Sequence, residues 1–145
     1  MKRLLTLLVF SAGFVAQATA QSDVPTPILP DALRWEGPPQ LPALQAAWML
    51  GSEQQPGPYV LRVRLAANGL IPAHTHPDRR YTTVLSGTIH VGFGESFDAG
   101  KIVAVPAGAV YVAPANVPHY LWAKDGDAEY QEAGDGPTAT VMLKP

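Results

Sequence analysis

The 145-residue chain contains no cysteine. Disulfides, thiolate metal sites, cysteine nucleophiles and a bacterial lipid anchor are therefore excluded together. Cationic residues are also few, 10 Lys and Arg against 12 Asp and Glu, and never run longer than a pair. Nucleic acid is not an expected partner, because neutralising a phosphate backbone needs clustered cations. No apolar run is long enough to cross about 30 Å of hydrocarbon as a permanent helix, so no permanent membrane anchor is expected. A phosphate loop is missing too: Gly92-Phe93-Gly94 lacks the following helix and the Lys-Ser/Thr pair. So is the G-x-S-x-G turn of a serine hydrolase. What the chain does have is 47% hydrophobic residues, enough for a core, with 15 prolines and 13 glycines to break it into short elements.

The first 20 residues read as an export signal. Lys2 and Arg3 begin it, an apolar stretch over residues 4–15 follows, and Ala18-Thr19-Ala20 supplies the small-x-small pattern that signal peptidase accepts. Cleavage after Ala20 is expected, giving a periplasmic or secreted protein. Removing Lys2 and Arg3 from the 10 basic residues leaves 8 against 12 acidic ones, a net charge of −4. Residues 21–43 carry Pro25, Pro27, Pro30, Pro38, Pro39 and Pro42, which deny a continuous helix or central strand. They are expected to form an extended arm, with at most one helical turn at 31–35, pinned to the body by Trp35.

Residues 44–145 are expected to fold as one all-β domain. Apolar runs separated by turn residues predict strands at 44–50, 59–65, 81–85, 88–91, 102–105, 109–113, 119–123 and 138–143. In 59–65 the apolar residues alternate with Arg62 and Arg64, the mark of a strand with one wet face. Short strands at this spacing, without helical stretches between them, predict an antiparallel barrel or sandwich.

The histidines carry the chemistry. His74 and His76 stand at i and i+2, so on a strand both rings point to one face and can reach one ion. Imidazole suits Zn, Fe, Ni, Cu and Mn alike. Gly69-x4-His74-x-His76-x3-Arg80-x6-Gly87 resembles the first motif of the cupin family, in which Gly, His, His, Glu and Gly recur at nearly this spacing. Gly108-x5-Pro114-x-Asn116-x2-His119 resembles the second motif, with Asn116 where Gly is usual. The resemblance covers residues 41–145. It implies a single cupin β-barrel (a double-stranded β-helix or jelly roll) holding one divalent transition metal. Carried over residue by residue, it implies His74, His76 and His119 as the ligands.

The departure is Arg80, which occupies the family's glutamate position and is a permanent cation unable to ligate metal. Three arrangements are open: Arg80 turns outward, it pairs with Asp78, or it orients an anionic substrate group beside the metal. Asp78 could also supply the missing oxygen ligand. A three-histidine site keeps positions free for substrate and water or dioxygen, as catalysis requires.

The other polar residues receive structural readings. His90, between Ile89 and Val91, is expected on the outer surface, and Arg79 is expected to be a solvated charge. Asn116 suits a turn that needs positive φ. Leu121 and Ala123 share the inward face of His119, and Trp122 faces the other way. Tyr81 and Tyr120 are expected to be core or interface aromatics, and Asp125 and Asp127 to lie in a solvated turn. The function expected is a metal-dependent enzyme of dioxygenase, lyase or isomerase type acting on a small molecule, with Arg80 orienting an anionic group. A non-enzymatic ligand-binding or structural cupin, with or without metal, is the alternative reading, and a homodimer is compatible with either.

Overall fold

The computed structural model describes residues 26–144. The leader expected over 1–20 and the start of the arm lie outside them. Among the described residues ten strands are formed: β1 (Leu44–Leu50), β2 (Gly57–Leu65), β3 (Leu70–Thr75), β4 (Arg80–Ser86), β5 (Thr88–Phe93), β6 (Val103–Pro106), β7 (Val110–Ala113), β8 (His119–Trp122), β9 (Ala128–Gly136) and β10 (Val141–Met142). They make two antiparallel five-stranded sheets, ordered β1-β2-β9-β4-β7 and β10-β3-β8-β5-β6. This is the all-β jelly roll that the strand spacing and the two motifs lead one to expect. No helix among the described residues is long and apolar enough to cross a membrane.

Period-two alternation builds the core. Tyr59, Leu61, Val63 and Leu65 of β2 point inward and are buried, and they meet Ile71, Ile89, Val91 and Leu121 from the second sheet. Each such side chain contributes about 1.5–3 kcal/mol by leaving water. Arg62 and Arg64 take the opposite face, where both lie beside Glu129. The Arg64 guanidinium stacks 3.9 Å over the Trp35 ring, and Glu36 bridges to Ala46. Trp35 thus ties the arm to the body through a cation as much as through burial. A short 3-10 turn, Pro30–Ala32, stands where one helical turn was expected.

Three sequence expectations are corrected here. The central strand β9 was not expected at all. It pairs along its whole length with β2 and along its other edge with β4, turning Ala128, Tyr130 and Glu132 inward. Its acidic residues and its glycines at 134 and 136 disguise it as a continuation of the turn at Asp125 and Asp127. The strand expected over 138–143 shrinks to Val141–Met142, and Thr138, Ala139 and Thr140 are instead spent on hydrogen bonds to the site described below. His90 projects from the outer face as alternation requires, yet it is buried rather than exposed. Trp122 packs against it and Asp125 reaches within 3.4 Å of its Nε2.

The remaining assignments are mixed. Tyr120 is fully buried, its hydroxyl donating to the Asp98 carbonyl at 3.1 Å, with Phe97 edge-on against it. Tyr81 is half exposed, and Arg79 is exposed as expected. Asn116 adopts φ 59°, and the motif glycine Gly87 adopts φ 70° with the Asp127 carbonyl packed where a Cβ would stand. Asp127 also accepts the backbone N–H of Ala67 at 2.7 Å, so it braces the turn as well as facing solvent.

Candidate metal centre

Three histidines converge because β3 and β8 are neighbours. Their register sets His74 opposite His119. His76 lies just beyond the end of β3, in a turn held by the Asn116 N–H donating to the His76 carbonyl at 2.7 Å. The ring centroids are 4.3 Å (His74 to His119), 4.9 Å (His74 to His76) and 5.1 Å (His76 to His119) apart. One nitrogen from each ring lies within 4.8 Å of the other two, and all three residues are buried.

Each ring is oriented through its other nitrogen. Nδ1 of His74 donates to the Pro72 carbonyl at 2.7 Å, Nδ1 of His76 to Ala139 at 2.9 Å, and Nδ1 of His119 to Val117 at 3.0 Å. A carbonyl only accepts, so the hydrogen sits on Nδ1 in all three and Nε2 is the free position. The Nε2 atoms of His76 and His119 are buried without a partner. Burial, and then the neighbouring His119, lowers the His74 pKa to about 4. Burial, and then the Arg80 cation, lowers that of His76 to about 2. Burial also lowers His119. At neutral pH the rings are uncharged, with their lone pairs free. A carbonyl-oriented imidazole with a bare inward nitrogen is the state that a transition metal requires of its ligand, so this donor set fits a divalent ion.

Arg80 points inward and is buried. Its Nη1 donates to Glu132 Oε2 at 2.7 Å, its Nη2 to Thr138 Oγ1 at 2.9 Å, and its Nε lies 3.8 Å from Asp78 Oδ1. The outward arrangement is thereby excluded, and pairing with Asp78 is secondary to pairing with Glu132. The expected substrate-orienting contact from Arg80 finds both of its terminal nitrogens already engaged with protein groups. Asp78 accepts hydrogen bonds from the hydroxyls of Tyr59 and Thr138 and stands outside the three-histidine group. Burial and that bond push the Tyr59 phenol well above its ordinary range, so it remains a donor. Glu132 went unnoticed in the sequence because β9 did. The alternation Ala128-x-Tyr130-x-Glu132 was the trace that could have revealed it.

Beside the histidines lies a cavity of about 770 Å³. His74, His76, Arg80 and Glu132 line its polar side. Leu61, Val63, Ile71 and Tyr130 form apolar wall, to which Pro38 and Leu41 of the arm also contribute.

A model of the cupin domain matches residues 61–131, which include the three histidines and Arg80. No curated protein sequence matches the chain significantly. Among solved structures, the polyketide cyclase RemF from Streptomyces resistomycificus superposes with a TM-score of 0.69 at 14% identity, over 83% of this chain and 86% of that one. An RmlC-like cupin from Shewanella frigidimarina gives 0.60 at 14% identity, over 74% and 86%. Salicylate 1,2-dioxygenase from Pseudoaminobacter salicylatoxidans, in adducts with gentisate, gives 0.58 at 18% identity, over 72% of this chain but 30% of that one. At these identities the likeness is one of fold.

Proposed function

Because the chain has the cupin fold and a matching cupin domain, we propose that it is an exported metalloprotein that binds one divalent transition metal on His74, His76 and His119 and acts on a small molecule in the adjoining cavity. The observation that carries this reading is the set of three buried imidazoles, each with Nδ1 bound to a carbonyl and Nε2 turned inward. When bound, the metal supplies Lewis-acid polarisation of a ligand oxygen. The chain supplies the rest. Leu61, Val63 and Ile71 take up an apolar skeleton, and Glu132 offers a carboxylate at the polar end. Three protein ligands leave coordination positions open, as catalytic rather than structural sites do. The reaction falls within the dioxygenase, lyase and isomerase types, and the structural neighbours include a polyketide cyclase and a salicylate 1,2-dioxygenase.

The test has two stages. Metal analysis of the protein purified from its native compartment should find about one divalent ion per chain, lost in His119→Ala. The loaded protein is then screened for turnover of small, largely apolar molecules bearing a hydroxyl or carbonyl. Saturable binding without product would leave a ligand-binding cupin in place of an enzyme.

A further inference from the structure

A permanent cation beside a divalent metal is repulsive, and more so where water is excluded. Arg80 stands at the place where the resembled motif carries an anion, so the substitution by itself moves the site two charge units the wrong way. Its surroundings reverse that. Glu132 Oε2 lies 2.7 Å from Nη1 and Asp78 Oδ1 lies 3.8 Å from Nε, and both acidic side chains are nearly closed to solvent. Arg80, Glu132 and Asp78 together carry a formal charge of −1, the same as the one glutamate that the motif lacks.

Glu132 is brought across the sheet. The register of β4 against β9 sets it opposite Thr82, one inward step from Arg80. It shares the cavity wall with His74 and His76. It stands outside the group of three imidazole nitrogens, so it acts on the centre through its field.

We propose that Glu132, held in place by Arg80, supplies the negative charge that makes the three-histidine centre bind a divalent cation, the acidic partner having moved from β4 to β9. Glu132 is on this account a positioning residue of the metal centre. The proposal rests on the three-histidine reading.

The test uses the full chain and the metal ions alone, Zn2+ and Ni2+, with affinities measured by equilibrium dialysis at fixed ionic strength. Glu132→Gln raises the cluster to neutral and should weaken binding by about tenfold or more. Arg80→Gln lowers it to −2 and should tighten binding by a comparable factor. The double variant returns it to −1 and should bind within about threefold of wild type. A purely architectural ion pair behaves differently: both single changes would weaken binding and the double would not recover it. If Glu132→Gln fails to fold, Arg80→Gln and the double variant differ by the same charge and decide the matter. Binding by Glu132→Gln within about twofold of wild type, or weakening by Arg80→Gln, overturns the proposal while leaving the three histidines standing. A wild-type chain that binds neither ion removes the three-histidine reading, and this proposal with it.

Discussion

His76 and Arg80 address the same acceptor, the carbonyl of Ala139. The imidazole Nδ1 donates to it at 2.9 Å and the guanidinium Nη2 reaches it at 3.5 Å. One short segment therefore orients a ring of the three-histidine cluster and anchors the buried cation beside it. Thr138 reinforces it, accepting from Arg80 Nη2 at 2.9 Å while donating to Asp78. Thr138→Val keeps the shape and removes both hydrogen bonds. It should cost about 1–3 kcal/mol in urea unfolding and weaken metal binding as well, and Thr138→Ser should recover most of both.

Metal bound only to the folded state adds stability by mass action. Chelation of the loaded protein should lower its melting temperature by roughly 5–10 °C, and His119→Ala should abolish that sensitivity. An unchanged melting curve for chelated wild type would show that no metal is held.

The metal-free protein should be acid-sensitive. His74 and His76 have ordinary values of 6.5 when unfolded and are lowered, mainly by burial, to about 4 and about 2 when folded. Above 6.5 neither state is protonated and stability is whole. As the pH falls below 6.5, the unfolded chain takes up protons that the folded one refuses, so stability is lost progressively towards 4 and below. Urea midpoints should drop between about pH 7 and about pH 5, and His74→Gln should flatten the slope. A flat wild-type profile would contradict neutral rings.

Two glycines separate backbone strain from crowding. Gly108 has φ 86° with open space where a Cβ would stand, whereas Gly87 has φ 70° with the Asp127 carbonyl and Ala128 against it. Gly108→Ala should cost about 1–2 kcal/mol for its conformation alone. Gly87→Ala should cost about 1–3 kcal/mol more, read from the same denaturation series.

Export is tested by N-terminal sequencing of protein recovered outside the cytoplasm, which should begin Gln-Ser-Asp at Gln21. An intact Met1 in that fraction would reject the leader.

What could be read in the chain was whatever is local. Tyr59, Leu61, Val63 and Leu65 announce β2 because arginines mark its other face, and the paired histidines are legible from spacing alone. Glu132 is different. An acidic residue at an inward position makes sense only beside a cation that stands 52 positions earlier, and no window along the sequence holds both. His90 shows the same limit. Alternation gives its direction correctly, but the cover supplied by Trp122 and Asp125 belongs to the folded arrangement. Thr138, Ala139 and Thr140 look like the opening of a strand until Arg80 and His76 are seen to need their oxygens.

The place of β9 between β2 and β4 sets the order in which the molecule can assemble. β2 and β4 share no edge, so the first sheet stays divided until the chain has been made, or delivered, as far as Gly136. Closing it joins segments far apart in sequence, which is slow compared with pairing neighbouring hairpins. Until that insertion, Arg80 has no Glu132, and burying it would strand a charge in an apolar interior. A prematurely collapsed barrel is thus penalised by its own arginine, and the pairing that closes the first sheet is also the one that brings Glu132 to Arg80.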